Sequence, residues 1–139
     1  MLLTPQKRKY RKPIIRSLKW KTSRWTLVSF WEYWIKAVTS WYITNKQLES
    51  ARKVVVKSIK KVGKIWLRVF PDMPFTKKWL EMPMGTWKWE VDIFTAPVRK
   101  WKVILEVSWL TRDEAYTALT QAGKKLPMLT RVVVKWEIN

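Results

Sequence analysis

Residues 63–72 read GKIWLRVFPD, and the rest of the chain is organised around this stretch. It opens with Gly63, a residue type that often ends a helix, and closes with Pro71 and Asp72, which favour a turn. The apolar run between them is too short for a helix, so it predicts a buried strand. A helical pattern precedes this run, and a segment rich in Pro and Lys follows it. We therefore expect a central strand at which a helix and a long loop meet.

The composition is strongly basic. Lys and Arg number 29 against 10 acidic residues among 139, a formal charge of +19. This excess predicts a polyanionic partner, most often nucleic acid, with an anionic membrane surface as the alternative. The length suits one domain with a modest core. Because we find no repeat and no internal boundary, we interpret residues 1–139 as a single domain.

Several function classes are excluded by residue inventory. Cys and His are both absent, so disulfides, Cys/His zinc sites and catalysis by Cys or His are impossible. No phosphate-loop motif and no cluster of metal-ligating carboxylates occurs. The N-terminus lacks the apolar segment of a signal peptide, and no apolar run approaches the roughly 20 residues of a spanning helix. We expect a soluble intracellular protein that binds and does not catalyse, with no cofactor and no metal.

The first 24 residues, which we call the arm, contain no acidic residue. Mutual repulsion keeps such a segment extended until an anion neutralises it. We interpret the arm as following RNA phosphates; the alternative is a solubilising tail. The basic residues of the arm, all predicted to bind RNA, are Lys7, Arg8, Lys9, Arg11, Lys12, Arg16, Lys19, Lys21 and Arg24.

A helix is predicted over residues 44–62. Thr44 and Gln47 have the spacing of a capping box. Apolar residues then recur every three or four positions, at Leu48, Ala51, Val55, Ile59 and Val62, which places them on one face. Lysines lie on the opposite face with too few acids to pair with, so we expect RNA contact there and not only solvation. These lysines are Lys46, Lys53, Lys57, Lys60 and Lys64.

Further elements predict an α+β fold with two helices on a mixed or antiparallel sheet. One or two short strands are expected within residues 27–38, one at 129–134, and a hairpin formed by 91–98 and 103–107. A second helix begins with a capping box from Thr111 to Glu114 and ends at Gly123. Asp113 and Glu114 could be proposed as catalytic carboxylates, but the helix dipole is sufficient to explain acids in a first turn.

Residues 76–90 form the predicted loop. Its prolines and glycine argue against regular structure, and long loops in compact domains are usually functional or disordered. The residues expected to take part in recognition are Lys77, Lys78, Met82, Pro83, Met84, Gly85 and Lys88.

Tryptophan is abundant and glycine is rare, with 12 Trp against 3 Gly. Only Trp66 lies inside a clear apolar strand, whereas the other Trp residues lie in turn-like or basic contexts that usually hold glycine. We hypothesise that those positions are glycine in the natural product, for example through a stop codon that the source reads as glycine. The alternative is a Trp-rich chain that stacks on bases. The positions are Trp20, Trp25, Trp31, Trp34, Trp41, Trp79, Trp87, Trp89, Trp101, Trp109 and Trp136.

Six ordered motifs resemble the bacterial-type ribosomal protein L-sixteen family of the large subunit, also called the universal L-sixteen/L-ten-e family. GKIWLRVFPD is the most specific of them. The others are KYRK at 9–12, FWEYWIKA at 30–37, the segment from Ile43 to Arg52, MGTWKW at 84–89 and KLP at 125–127. In FWEYWIKA and MGTWKW, Trp stands where the family has Gly. Pro83 stands where some members carry Arg, so the charged loop tip of those members is missing here.

The resemblance implies a hammerhead-type α+β fold that binds large-subunit ribosomal RNA beside other large-subunit proteins. It also implies that residues 76–90 contact transfer RNA near the aminoacyl site, in a cytoplasmic or alternatively an organellar ribosome, with no membrane partner. Two other interpretations come from the residues alone. A protein of anionic membrane surfaces would place Trp and Lys on opposite helix faces, but Trp20 and Trp87 adjoin lysines directly. A nucleic-acid enzyme is disfavoured by the missing catalytic groups.

Overall fold

The strands of the domain form two antiparallel sheets. A computed structural model describes residues 3–30, 32–59, 63–85, 87–108 and 110–135. One sheet has the order β3-β6-β1-β7 and the other β2-β5-β4. Together with helices α1 and α2 they confirm the expected α+β class. The elements are β1 (Tyr33–Ala37), β2 (Trp41–Thr44), α1 (Asn45–Ile59), β3 (Ile65–Leu67), β4 (Met73–Thr76), β5 (Val91–Val98), β6 (Val103–Val107), α2 (Arg112–Gly123) and β7 (Thr130–Val134).

Helix α1 follows its sequence pattern closely. Thr44 and Gln47 exchange capping hydrogen bonds of 3.2 Å and 3.0 Å between side chain and backbone. The residues that face the core are Leu48, Ala51, Val55 and Ile59. The predicted face is therefore confirmed up to Ile59, while Val62 and Lys60 lie outside the described residues.

Helix α2 packs against α1 and is also as predicted. The Thr111 amide and hydroxyl both donate to the Glu114 carboxylate, at 3.4 Å and 2.8 Å. The helix ends at Gly123, where a Cβ atom would collide with the Thr130 hydroxyl oxygen. Glycine at this position thus lets the end of α2 approach β7 closely.

The prediction of a central strand at residues 63–72 is wrong. Only Ile65–Leu67 forms a strand, and β3 lies at the edge of its sheet, half-buried. Val69 is buried but Phe70 is 49% exposed. The inner strands are β1 and β6, and all five residues of β6 are buried. An apolar run indicates burial, but strand order depends on pairing partners that are distant in sequence.

The predicted hairpin is also wrong, although both of its strands have the expected bounds. β5 and β6 belong to different sheets, so the turn between them crosses from one sheet to the other. Two hydrogen bonds fix this turn to the end of β1: Trp101 N–H donates to Ala37 O at 2.8 Å, and Ala37 N–H donates to Lys102 O at 3.0 Å. These contacts with β1 replace the hairpin pairing.

Two strands were not expected from the sequence. β4 contains Pro74 and lies at the edge of its sheet, where a proline is tolerated. β2 pairs with the C-terminal half of β5. β1 covers only the second half of residues 27–38, and β7 begins one residue later than expected.

Candidate nucleic-acid interface

The described part of the arm, residues 3–24, has neither helix nor strand, yet it lies against the domain. The Tyr42 hydroxyl donates to the carbonyl of Arg16. Further along, Thr22 N–H donates to Lys100 O at 3.0 Å. The chain beyond position 24 continues the contact, since Val103 N–H donates to Trp25 O at 3.0 Å. The backbone of the arm is thus fixed, while all of its basic residues except the half-buried Lys12 are exposed.

A buried ion pair anchors the segment that follows the arm. The Arg68 guanidinium lies 2.7 Å from the carboxylate of Glu106, and their side chains are 6% and 0% exposed. The amide of Phe30 donates to the same carboxylate at 3.0 Å, and the guanidinium donates to the Ser29 hydroxyl at 3.2 Å. Because charged hydrogen bonds are strong in a buried setting, this pair holds residues 29–30 against the four-stranded sheet.

Aromatic rings cover the ion pair. The guanidinium of Arg68 lies 5.1 Å from the Trp25 ring centroid and 4.9 Å from that of Phe30. The Phe30 ring in turn stacks on Trp66 at 5.8 Å. Glu106 was not among the residues predicted from the sequence. The available signal was one carboxylate inside an apolar strand, which is rarely buried without a partner.

The arm and the predicted loop meet through reciprocal lysine contacts. Lys12 Nζ donates to the Lys88 carbonyl at 2.6 Å, and Lys88 Nζ donates to the Pro13 carbonyl at 2.7 Å. Arg11 and Glu90 add an exposed ion pair at 3.6 Å. Two predicted binding segments that lie far apart in sequence therefore form one surface.

The loop itself projects from a closed base. Lys77 N–H donates to Glu90 O at 3.2 Å, which holds the two ends together. Between them the side chains of Leu80, Met84 and Trp87 are at least 80% exposed. The other predicted loop residues, Lys77, Met82, Pro83, Gly85 and Lys88, are exposed too, and Lys78 is half-buried. The loop tip thus has no packing partner within the described residues that would hide it.

Three of the five lysines predicted for the basic face lie on the described part of α1. Lys46, Lys53 and Lys57 are exposed. Lys64 is exposed as well, but it lies beyond the helix, next to β3, where its backbone bonds to Ser108. Lys64 therefore adds an exposed charge beside β3 and not on the helix itself. Lys60 is outside the described residues.

The acid on α1 is neutralised within the helix. Both carboxylate oxygens of Glu49 accept hydrogen bonds from Arg52, at 2.8 Å and 2.7 Å. This pairing lowers the pKa of Glu49 and raises the pKa of Arg52. The three exposed lysines of α1 consequently keep their charge available.

Membrane and metal sites receive no support from the described ranges. No helix there is long and apolar enough to cross a membrane, and no group of acidic side chains there could hold a metal ion. Neither α1 nor α2 contains a Trp, so the pairing of Trp and Lys on opposite helix faces does not occur in them.

Comparison with known proteins gives one consistent family. Residues 5–133 match the family described as ribosomal protein L16p/L10e. The chain is 38% identical to large ribosomal subunit protein uL16 of Borrelia recurrentis (strain A1), over 99% of this chain and all of the relative. It is 36% identical to the protein of the same name from Kosmotoga olearia, over 99% of this chain and 98% of the relative.

Proposed function

The chain belongs to the ribosomal protein L16p/L10e family, and we propose that it binds large-subunit ribosomal RNA and contacts transfer RNA near the aminoacyl site. Members of this family are structural, non-enzymatic components of the large subunit, so the protein acts in translation as part of a cytoplasmic ribonucleoprotein. The arm and the lysine face of α1 bind the ribosomal RNA. The loop at residues 76–90 extends toward transfer RNA.

Exposed charge on a fixed backbone supports the ribosomal RNA contact. Lysine and arginine release counterions from phosphates on binding, and structured RNA is recognised largely by shape, phosphates and 2′-hydroxyls. Hydrogen bonds to β-strand and turn residues hold the arm in place, so little further ordering entropy is lost on binding. The +19 charge makes this binding strongly dependent on salt.

The assignment of the loop rests on its geometry. The tip of the loop is exposed, and the base of the loop is closed and lies beside the arm. Lys77 and Glu90 close the base, and Lys88 bonds to the arm. If the arm lies on ribosomal RNA, the loop begins beside that surface and its exposed tip is accessible to a further ligand. A second RNA ligand is therefore the natural contact of the tip, with Lys78 near its base supplying charge for phosphates.

The test shortens the loop and leaves its base intact. Residues 79–87 are replaced by a short Gly-Ser link, so that Lys77, Lys88 and Glu90 keep their contacts. Ribosomes carrying the shortened protein are purified, and binding of aminoacyl-transfer RNA to the aminoacyl site is measured. We expect weaker binding with normal incorporation of the protein, because the removed side chains are not packed in the core.

The control variant K124Q/K125Q removes two exposed lysines after α2 and should bind transfer RNA as the unmodified protein does. Sedimentation with large subunits checks the incorporation of each variant. Unchanged transfer-RNA affinity with fully incorporated shortened protein would refute the role of the loop. Failure of the unmodified protein to sediment with large subunits would refute the ribosomal RNA contact itself.

A further inference from the structure

A groove of about 500 Å³ lies where the arm crosses the turn between β5 and β6. Four basic residues line it, Arg16, Arg24, Arg99 and Lys102, together with one acidic residue, Asp72. Arg68 also reaches the groove, but its charge is balanced by Glu106. Four basic residues and one acidic residue thus share one concave site. We call it the arm groove.

The walls of the arm groove are held by backbone hydrogen bonds. The bond from Thr22 N–H to Lys100 O fixes the arm side, and the bond from Lys102 N–H to Arg99 O, at 3.2 Å, shapes the turn side. The Tyr42 hydroxyl fixes the backbone of Arg16. A cationic site with a preformed backbone loses less entropy when it binds an anion.

Lys102 differs from the surface lysines because it is half-buried in this site. Burial lowers the pKa of its ammonium group, which the Asp72 carboxylate partly counteracts. A partly desolvated cation gains more from an anionic partner than an exposed one, because water screens the interaction less.

We propose that the arm groove holds a backbone phosphate of the large-subunit ribosomal RNA, with Arg24 and Arg99 on either side of it. This inference rests on the proposed function and adds a site that neither the helix face nor the loop contains. Phosphate is the anion that suits the groove, since arginine forks bind it with two hydrogen bonds at once.

The variant R24Q/R99Q tests this site against K124Q/K125Q, which removes the same charge elsewhere. Binding to in-vitro-transcribed large-subunit ribosomal RNA is measured from low to high salt. For the groove variant we expect the log–log salt slope to fall by about 0.9 for each duplex phosphate that is no longer neutralised. The control should keep the slope of the unmodified protein, and circular dichroism should show both variants folded.

Acetylation of lysines provides a second readout that needs no mutation. Bound ribosomal RNA should protect Lys102 from acetylation and leave Lys124 reactive. Equal salt slopes for the two variants, or an unprotected Lys102, would overturn the arm-groove assignment. If the unmodified protein does not bind the RNA, the proposed function fails, which is a distinguishable outcome.

A second inference comes from backbone geometry. Among the described residues, two that are not glycine have positive φ, Trp25 at 63° and Trp101 at 73°. Both are tryptophans. The left-handed region is strained for bulky side chains and easily adopted by glycine. Two tryptophans in the left-handed region therefore indicate that these two backbone positions require glycine.

The environments of the tryptophan side chains lead to the same conclusion as the backbone angles. Trp20, Trp25, Trp41, Trp79 and Trp87 are all at least 57% exposed, which is unusual for the largest apolar side chain. Trp34 shows the opposite problem: it is 1% exposed, and its indole N–H has no acceptor among the described residues. By contrast, Trp66 is half-buried and stacks on Phe30.

We infer that the natural protein carries glycine at positions 25 and 101, and that Trp66 is a genuine tryptophan. Positions 20, 34, 41, 79, 87 and 89 follow if they share the codon of positions 25 and 101. Positions 31, 109 and 136 belong to the same hypothesis and lie outside the described residues. Glycine at 25 would also widen the arm groove without removing any of its charges.

Peptide mass spectrometry of the protein isolated from its own organism decides the identity directly. Peptides that span positions 25 and 101 should lack the indolylmethyl mass, while the peptide with Trp66 should retain it. Tryptophan at positions 25 and 101 in the native peptides would overturn the inference. A matched thermal test compares W25G and W101G, expected to keep or raise the melting temperature, with W66G, expected to lower it. A fall for the first two equal to that for W66G would count against the inference as well.

Discussion

Helix α1 and the arm are both basic and both proposed to bind RNA, but they are held in place in different ways. The position of α1 depends on its own residues, through the Thr44–Gln47 cap and an apolar face. The arm has no such pattern, and its bonds with Lys88 span 76 and 75 positions of the chain. A periodic segment therefore carries its own placement, whereas an irregular one takes its placement from the rest of the fold.

Loss of the Glu106 anchor should have the largest effect. The substitution Glu106→Ala leaves the buried Arg68 charge unpaired, which costs about 3–5 kcal/mol of unfolding free energy. The amides near Phe30 should lose protection from hydrogen exchange while those of α1 keep it. Urea denaturation and hydrogen exchange measure the two effects.

A double variant, R68M/E106L, is the matched control, because it removes both charges and should recover part of the stability. A loss below about 1 kcal/mol in Glu106→Ala, within the range of ordinary substitutions, would show that the segment after the arm does not depend on this pair.

Truncation of a core side chain of α1 should have the next-largest effect on the free energy of unfolding. Leu48 is 0% exposed, so Leu48→Ala should cost about 2–5 kcal/mol by creating a cavity. Leu67→Ala in the half-buried edge strand should cost about half as much, because less apolar surface returns to water. Equal costs would mean that residues 63–72 are as central as the sequence suggested. Chemical denaturation of both variants makes the comparison.

Charge removal compares the two RNA-binding surfaces directly. K46Q/K53Q/K57Q on α1 and K7Q/K19Q/K21Q on the arm remove the same charge from exposed positions. Each should flatten the salt dependence of ribosomal RNA binding by about 0.9 per duplex phosphate that is no longer neutralised. Unfolding free energies should change by no more than about 0.5 kcal/mol. If one triple variant binds with the original salt slope, its surface does not contact phosphates.

The smallest effect concerns the Glu49–Arg52 pair of α1. The pKa of Glu49 is lowered from its ordinary value near 4.5, so the folded state binds this proton less readily than the unfolded state. The stabilisation is fully present above pH 4.5 and is lost as the pH falls through the lowered pKa. Glu49→Gln should therefore cost about 0.2–0.5 kcal/mol at neutral pH and nothing at strongly acidic pH. Equal costs at both pH values, measured by urea denaturation, would exclude an electrostatic contribution.

Sequence patterns predicted the features that depend on residues close together in the chain. The capping boxes, the buried face of α1, the end of α2 at Gly123 and the bounds of β5 and β6 all follow from spacing. Strand order does not, because pairing of β6 with β1 and β3 depends on contacts across the whole chain. For the same reason the pattern at residues 63–72 predicts the centre of a sheet although this stretch lies at the edge.

The residues of the candidate site can also be divided into those that the sequence identified and those that it did not. Basic residues of the arm and of α1 were identifiable from charge density, and their exposure agrees with that interpretation. Arg99 and Lys102 could not be identified from the sequence. Each lies beside a short turn, and only the folded structure brings the arm across that turn. Lys64 lies beside β3, although helical spacing had grouped it with the lysines of α1.

The distant anchors of the arm have a consequence for how the protein is made. Residues of the arm are synthesised first, but their partners Lys88 and Lys100 are added much later. Closing loops of this length costs entropy before any contact repays it. We therefore expect the arm to become fixed on the domain only after residues 88–100 have been synthesised.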